Sequence, residues 1–330
     1  MQDTMYQVEF LKEDKFRLFK GLYTDFIAHA IADYHFELQP LTYDEFIDAV
    51  SRDVIKCIVL LENMIPTAFL VYTTAISESV ELNLIHCLGD EDLLNKRNML
   101  MKYFMEQTTE ERKNAAVCYP MLGSQGNYAS DITHFGYKLI GLIVLRFLMD
   151  DSLSTMIFDN VDTPKVDSRF KIVQWNAKYL DSAVNIIHET FKQTSDALFD
   201  TRFKTSEGTR DIINKIVNNI YGEFLPEATS VLLCNDEPIG FAFANITGGK
   251  VGNIPLVGVL EQYRGTGLSV LMLQRVIKTI IESMRAGRRN FSEVNVTTET
   301  DNFGALRMYR TVGFREDYSY TQAYLDATQN

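Results

Sequence analysis

The sequence predicts a mixed α/β fold that is built twice along the chain. The first observation is a repeated apolar hairpin: the segment beginning at Val59 recurs at Val231, 172 residues later, with Leu-Leu, Asn, Pro and Phe at matching positions. The second is that strand-like and helix-like patterns follow in the same order around both hairpins. The third is a glycine-containing junction between a strand and a long helix, residues 264–269. The first two observations favour a tandem duplication over a chance similarity of two hairpins.

Each predicted element follows from its apolar period and from the turn residues that flank it. Alternating or continuous apolar runs between Gly, Pro or Asn turns indicate strands, and apolar residues three or four apart indicate helices. The first half then has strands at 7–11, 57–62, 67–74, 80–87, 115–121 and 140–149, and helices at 16–34, 43–50 and 92–111. The second half has strands at 170–175, 230–234, 239–246, 254–260 and 293–298, helices at 178–191, 210–220, 268–284 and 303–311, and closing strands.

Length and composition indicate two domains with ordinary cores. A chain of 330 residues with 46% hydrophobic residues suits two globular domains. The segment 150–166 is rich in Asp, Ser and Thr and is typical of a linker. We therefore predict one domain at 1–150, a linker at 151–168 and a second domain at 169–330.

Charge and cysteine usage exclude several classes of function. The net charge of −12 argues against a nucleic acid or an anionic membrane as partner and is compatible with a cationic amine. No run of eighteen apolar residues and no basic-then-apolar leader is present. The four cysteines are far apart and form no Cys-x-x-Cys pair, which predicts buried free thiols, a cytoplasmic protein and no metal site.

The junction Arg264-Gly265-Thr266-Gly267-Leu268-Ser269 carries the strongest chemical signal. Glycines between a strand and a helix let the backbone approach a ligand, and the free N–H groups of the first helical turn attract phosphate. The spacing differs from the nucleotide-triphosphate loop and from the dinucleotide fingerprint, because Val270 stands where the third glycine would be. Taken alone, the segment is also compatible with a turn that needs glycine for its geometry.

A second motif lies about forty residues further on. Asn302, Ala305, Tyr309, Gly313 and Phe314 are spaced as Asn-x-x-Ala-x-x-x-Tyr-x-x-x-Gly-Phe. Together with Arg-x-x-Gly-x-Ser at 264–269, this order resembles the GNAT superfamily of acetyl-CoA-dependent N-acetyltransferases, over residues 169–326. Serine stands at the last position of the first motif, where relatives have Gly or Ala, and its small hydroxyl suits a phosphate.

The resemblance implies both an architecture and a cosubstrate. It implies two GNAT-like domains, each a mostly antiparallel mixed sheet flanked by helices, with acetyl-CoA as cosubstrate and Tyr309 as the acid that protonates the leaving thiolate. It also implies that the strand before the glycine loop separates from its neighbour and that its amides hold the pantetheine and polarise the thioester. The implied acetyl-CoA-binding residues are Val257, Val259, Arg264, Gly265, Thr266, Gly267, Leu268, Ser269 and Asn302, the last of which is equally suited to cap a helix.

The residues for the base and the acceptor follow less directly. Many relatives carry a glutamate on the strand before the loop, but residues 251–260 contain no Asp or Glu. Glu293 and Glu299 on the next strand are candidates for the base, and a water chain is an equal alternative. Asp196 and Asp200, in the connection after the first helix of the second half, are candidates for binding an ammonium group; solvated loop acids are the competing interpretation.

The first half lacks the chemical elements of the second. The segment at the position of the glycine loop, residues 88–92, carries three carboxylates that would repel a pyrophosphate. Gly136-Tyr137 matches Gly313-Phe314 at an offset of 177, but Ile132 stands where Tyr309 is. We therefore predict a degenerate copy without catalysis.

The leading functional hypothesis is transfer of an acetyl group from acetyl-CoA to a primary amine of a small molecule or peptide by direct attack. A non-enzymatic CoA-binding or scaffold protein is the first alternative, favoured by the missing strand glutamate. Aminoacyl transfer from a charged tRNA is the second, opposed by the acidic charge and the intact glycine loop. A homodimer is compatible with the sequence.

Overall fold

The computed structural model describes residues 5–34, 39–74, 79–149 and 167–327. The chain forms two compact units. The first unit comprises Met1–Ile140, Leu198–Asp200 and Tyr320–Asn330, and the second comprises Gly141–Ala197 and Thr201–Ser319. The predicted linker at 151–168 lies mostly outside the described residues. Within those ranges, no helix combines the length and the apolar character that crossing a membrane requires.

Strands and helices alternate in a similar order in the two halves of the chain. The strands are β1 Tyr6–Phe10, β2 Lys56–Glu62, β3 Ile65–Thr73, β4 Val80–Cys87, β5 Val117–Met121, β6 Lys138–Leu148, β7 Phe170–Gln174, β8 Glu223–Phe224, β9 Ser230–Cys234, β10 Glu237–Ala242, β11 Asn245–Thr247, β12 Val251–Asn253, β13 Val257–Val259, β14 Glu293–Glu299 and β15 Arg315–Leu325. The helices are α1 Phe16–Ala30, α2 Tyr43–Ser51, α3 Leu93–Gln107, α4 Ala129–Ile132, α5 Leu180–Phe191, α6 Asp196–Phe199, α7 Ser206–Val217, α8 Leu268–Arg285 and α9 Phe303–Val312.

The first unit is a mostly antiparallel sheet with helices on both faces. Its strand order is β1-β2-β3-β4-β5-β15, and β4 and β5 form its parallel pair. Alternate residues of β2 face opposite sides: Val59 packs with α1 and α2, while Leu60 packs with α3. Because both faces are covered, β2 is apolar throughout its centre rather than alternating.

The second unit contains two sheets. One has the order β6-β14-β12-β11-β8, with β12 and β14 parallel, and the other has the order β13-β10-β9-β7 and is antiparallel. Helices α5 and α7 pack on one side of β9 and β10, and α8 packs on the other. The mixed, mostly antiparallel architecture predicted from the sequence is confirmed.

The repeated hairpins adopt the same geometry. Asn63 and Met64 form the two-residue turn between β2 and β3, with φ of 50° and 70°. Asn235 and Asp236 form the turn between β9 and β10, with φ of 50° and 67°. Two successive positive φ values fit the twist of the flanking strands, which explains why asparagine begins both turns.

The strand registers of the two halves coincide. Ala68 stands opposite Cys87 in the first unit, and Gly240 stands opposite Val259, both 172 residues later, in the second. Val80 pairs with Val117 in parallel, and Gly252 pairs with Val294, at offsets of 172 and 177. The internal repeat therefore extends from the hairpin to the strand pairings that follow it.

Each unit includes a strand from the other half of the sequence. Residues 142–148 of β6 stand opposite residues 293–299 of β14 within the second unit. Residues 321–325 of β15 stand opposite residues 117–121 of β5 within the first. The compact units therefore run across the boundaries predicted at 150 and 169, because a strand is assigned by its pairing partner rather than by its position along the chain.

The predicted elements differ from the observed ones mainly at their ends. Helix α1 ends at Ala30 rather than at 34, and α3 spans Leu93–Gln107 rather than 92–111. The strand predicted at 239–246 is divided into β10 and β11, which belong to different sheets. The single strand predicted at 254–260 also differs. The chain instead forms β12 and β13 with Pro255 between them, and the two strands belong to different sheets. Proline cannot donate to a sheet ladder, which suits a change of partner at this point.

Removing residues 1–150 is expected to destabilise the second unit, because β6 would be lost. Leu145 and Phe147 are fully buried in its core. Burial of such side chains contributes about 1.5–3 kcal/mol each. The test compares the fragments 151–330 and 141–330 by solubility and melting temperature, and the fragment that keeps β6 should be the more soluble and more stable. Equal melting temperatures would contradict this role of β6.

Candidate active site

The glycine loop is an exposed turn between β13 and α8. Gly265 and Gly267 have φ of 73° and 84°, which glycine adopts without strain. A Cβ atom added at either position would meet no atom within 4 Å. The space beside this backbone is therefore open to a ligand.

The first turn of α8 presents free backbone donors. Gly267 is the N-cap, and no side chain of the described residues caps the helix there. The first helical hydrogen bond runs from the Leu271 N–H to the Gly267 carbonyl at 3.3 Å. The preceding amides have no acceptor within the helix, and the helix dipole adds partial positive charge at this end. This arrangement suits a phosphate or pyrophosphate.

Side chains of the loop fix its conformation. The Arg264 Nε donates to the Val259 carbonyl at 3.1 Å, and the Thr266 hydroxyl donates to the Tyr263 carbonyl at 2.6 Å. Arg264 is exposed, so its positive charge lies at the loop surface while its Nε ties the loop to the end of β13. The sequence predicted the positive charge of Arg264 but not its hydrogen bond to the Val259 carbonyl.

The two sheets of the second unit separate immediately before the loop. β12 pairs with β14 through Asn253, and the Ile254 N–H donates to the Asn295 carbonyl at 3.1 Å. From Val257 onward the chain pairs with β10 instead. Beyond Ile254 the chain has therefore left β14, as the resemblance implies for this strand.

The separation leaves one edge of β13 open. The Leu260 N–H donates to Ile239 at 3.0 Å, and the Leu256 carbonyl accepts from Phe243 at 2.9 Å, so the even-numbered residues bond to β10. Because bonding direction alternates along an antiparallel strand, the N–H groups of Val257 and Val259 point away from β10, toward the gap. These are the two residues that the sequence predicted for thioester binding.

Tyr309 lies on α9 with its ring in the core. The residue is 6% exposed, and its ring centroid lies 5.6 Å from that of Phe314. Burial raises the pKa of the Tyr309 hydroxyl well above its usual range, and the charge of Asp196 raises it further. The hydroxyl is therefore protonated at neutral pH and can donate a proton or a hydrogen bond.

Two carboxylates share the neighbourhood of Tyr309. The Ser195 hydroxyl donates to the Glu299 carboxylate, which stands at the end of β14. Desolvation by the surrounding protein raises the pKa of Asp196, and the charge of Glu299 also raises it. A hydrogen bond from the Thr194 hydroxyl at 3.1 Å lowers this pKa and offsets part of the rise. Asp196 is exposed to solvent, so it is accessible and does not lie in the core. The fold thus brings Ser195, Asp196, Glu299 and Tyr309 together.

The remaining predicted residues lie elsewhere or have structural partners. Glu293 stands six residues before Glu299 on β14, about 20 Å away at the usual strand rise, and accepts two hydrogen bonds from Arg146 at 3.0 and 3.1 Å. Asp200 belongs to the first unit. Asn302 caps α9, with its side chain accepting from the Ala305 N–H at 3.1 Å. Across the described ranges, no group of three or more His, Cys, Asp or Glu side chains could hold a metal ion.

Comparison with protein families assigns the part of the chain that carries this geometry. Residues 196–314 match the model of the Acetyltransferase (GNAT) family. The similarity to this family therefore lies in the second half of the sequence. The match covers the glycine loop, the separated strands and Tyr309, and it supports acyl transfer as the general activity. No curated protein matches the sequence.

Solved structures share the fold along nearly the whole chain. A GCN5-related N-acetyltransferase from Sphaerobacter thermophilus is 16% identical, with a TM-score of 0.64 and 98% of each chain covered. A tandem GNAT protein from the clavulanic acid biosynthesis pathway is 10% identical, with a TM-score of 0.56, 99% of this chain covered and 100% of that chain. The glucosamine N-acetyltransferase region of a fungal β-N-acetylglucosaminidase is 12% identical, with a TM-score of 0.62, and the match covers 98% of this chain and 38% of that one. At these identities the likeness establishes the fold.

The first unit keeps the GNAT-like strand pairings with different side chains at the corresponding positions. Asp92, in the left-handed conformation with φ of 57°, precedes α3 and accepts from Tyr6 at 3.1 Å and from Asn95 at 2.8 Å. Ile132 is fully buried at the position of Tyr309, four residues before a glycine with positive φ in both halves. This part of the first unit therefore has neither a glycine loop without carboxylates nor the tyrosine.

Proposed function

We propose that the second unit transfers the acetyl group of acetyl-CoA to a primary amine by direct attack of the neutral amine on the thioester. The observation that carries this proposal is the open edge of β13 at the separation from β14. Continuing the parallel register of Val251 with Glu293 along both strands brings Val257 level with Glu299. Free amides therefore line one side of the gap, and the acidic cluster with Tyr309 belongs to the other.

The backbone supplies the binding groups in this proposal. The N–H groups at the start of α8 hold the pyrophosphate, and the open glycine positions leave room for it. The N–H groups of Val257 and Val259 bind the pantetheine and polarise the thioester carbonyl. Fixed donors of this kind stabilise the developing oxyanion by about 3–4 kcal/mol each.

The side chains manage two protons. As the amine nitrogen bonds to the carbonyl carbon, the nitrogen becomes positively charged and must lose a proton. The Asp196–Glu299 pair accepts it, since the raised pKa of Asp196 brings its basicity closer to that of the amine. As the carbon–sulfur bond breaks, Tyr309 donates its proton to the departing thiolate and recovers one from solvent.

The acidic pair also suggests the charge of the acceptor. An amine arrives at neutral pH mainly as an ammonium ion, which two carboxylates attract and then deprotonate. The two carboxylates therefore favour a small-molecule or peptide amine that has no carboxylate of its own near the nitrogen.

Calorimetric titration of acetyl-CoA, followed by CoA-thiol release over a panel of amines, tests the proposal directly. Saturable binding with amine-dependent thiol release is expected. Binding without release for any amine would favour a CoA-binding scaffold, and absence of binding would reject the proposed cosubstrate.

Gly267→Glu should abolish acetyl-CoA binding, because it brings a carboxylate to the pyrophosphate position. Gly267→Ala is the matched control. Alanine must adopt the same positive φ, at a cost of about 1–2 kcal/mol, but it brings no charge. Calorimetry should show a much larger loss of affinity for the glutamate variant than for the alanine variant. Similar losses in both would mean that backbone conformation, rather than phosphate binding, explains the glycine.

Tyr309→Phe should lower turnover by about 10²–10⁴-fold and leave acetyl-CoA affinity nearly unchanged, because the proton donor is removed while the ring still packs. Steady-state kinetics and calorimetry on the same variant separate the two effects. Tyr72→Phe, at a buried tyrosine of the first unit, is the control and should retain full turnover. Full turnover of the Tyr309 variant across the pH range would assign that residue to packing.

Glu299→Gln should move the acidic limb of the kcat/KM profile to lower pH. The charge of Glu299 raises the pKa of Asp196, so removing that charge lowers this pKa and keeps Asp196 ionised in more acidic solution. Asp196→Asn should remove the limb, whereas Asp200→Asn is the control and should leave it in place. An unchanged limb in the Glu299 variant would contradict the coupling between the two carboxylates.

A further inference from the structure

The first unit repeats the separation of strands that forms the proposed active site. β4 and β5 pair at Val80 with Val117 and at Glu81 with Cys118, and β4 then continues against β3 as far as Cys87. Ile85 stands at the position of Val257, 172 residues earlier in the same register. The N–H group of Ile85 therefore corresponds to a group that holds the thioester in our proposal.

In the first unit a side chain occupies this gap. The Gln125 Oε1 accepts from the Ile85 N–H at 3.0 Å and from the Tyr119 hydroxyl. Gln125 is 1% exposed, and its Nε2 is buried without a hydrogen-bond partner among the residues that the structure describes. A buried donor without a partner costs about 1–3 kcal/mol, so this amide is suited to a further acceptor.

A nearly buried arginine lies in the same surroundings. Arg97 is the fifth residue of α3, and Met272 is the fifth residue of α8, so the first unit has a cation where the second has a core methionine. Arg97 is 8% exposed, and its guanidinium carbon lies 5.5 Å from the centre of the Tyr128 ring. Within the described ranges no carboxylate forms an ion pair with it.

Neighbouring groups respond to the charge of Arg97. Burial raises the pKa of the Cys87 thiol to about 11, and Arg97 opposes that rise through its charge and through a hydrogen bond to the Cys87 side chain. Burial also raises the pKa of the Tyr119 hydroxyl, which donates to Gln125, and Arg97 is the cation that opposes this rise as well. Arg97 lies over the ring of Tyr128, which belongs to the same 3-10 helix as Gln125, Gly123–Tyr128. The guanidinium, which has no carboxylate partner among the described residues, and the unpaired amide therefore lie in the same part of the first unit.

We propose that the first unit binds a small carboxylate between α3 and the 3-10 helix Gly123–Tyr128, with the Arg97 guanidinium and the Gln125 Nε2 as donors. A guanidinium matches the two oxygens of a carboxylate in a fork. The low exposure of both side chains limits the ligand to a few atoms. The carboxylates of Asp90, Glu91 and Asp92 before α3 oppose a polyphosphate such as CoA.

The test uses the full chain with sodium acetate as probe and sodium chloride at equal ionic strength as reference. Acetate should shift the side-chain amide resonance of Gln125 saturably and raise the melting temperature. Arg97→Met, which introduces the residue found at the matching position of the second half, should weaken acetate binding about tenfold or more. Its melting temperature in chloride should be no lower than that of the parent chain, because a nearly buried cation without a carboxylate partner is removed.

Gln125→Glu tests the same site if the Arg97→Met variant does not fold. Gln125→Glu retains acceptors for Ile85 and Tyr119 and brings a carboxylate to Arg97, so it should raise the melting temperature in chloride and abolish the acetate response. Lys96→Leu is the control on the same helix, since Lys96 pairs with Glu62 at 3.6 Å, and should retain that response.

Three outcomes would overturn the proposal. The first is no saturable acetate effect in the parent chain, and the second is an equal effect in the Gln125→Glu variant. The third is an equally strong response to inorganic phosphate, which would reject the selectivity for a carboxylate.

Discussion

The change of sheet between Asn253 and Val257 is the constraint on which the second unit depends. A strand that paired with β14 along its whole length would have no free donors to offer a ligand. By leaving β14 after Ile254 and pairing with β10, the chain satisfies one edge of β13 and opens the other. Every residue except proline supplies the same backbone N–H group, so the proposed thioester site needs no particular side chain at Val257 or Val259.

Because the chain leaves β14 after Ile254, β14 must be supported along its opposite edge. β6 provides this support through seven opposed positions, from Leu142 to Leu148, and through buried side chains such as Phe147. Phe147 also packs against Phe314, and a Cβ at Gly313 would come within 3.1 Å of its ring. The Gly-Phe pair of the second motif therefore has a packing role, with its glycine at φ of 108° ending α9.

The two units illustrate how one backbone plan accommodates different chemistry. Both have a strand that separates from its parallel neighbour, and in both the gap exposes a backbone N–H group. In our proposal the gap of the second unit is left to a ligand, and α8 begins at a glycine loop without carboxylates. In the first unit Gln125 bonds to the corresponding N–H group, and polar side chains such as Arg97 replace part of the apolar core. Retention of the fold thus places no requirement on retention of the reaction.

The sequence by itself determined the features that depend on neighbouring residues. Alternation and turn residues located the repeated hairpins, the Gly265–Gly267 junction and the motif containing Tyr309, because each is a local pattern. The tertiary structure decided which distant segments meet. Ser195 and Glu299 are 104 residues apart and come together through folding, whereas Glu293 on the same strand pairs with Arg146. Strand partners could not be predicted from the sequence either, because an apolar run such as 254–260 or 140–149 is compatible with several neighbouring strands. The packing of the whole unit selects among these neighbours.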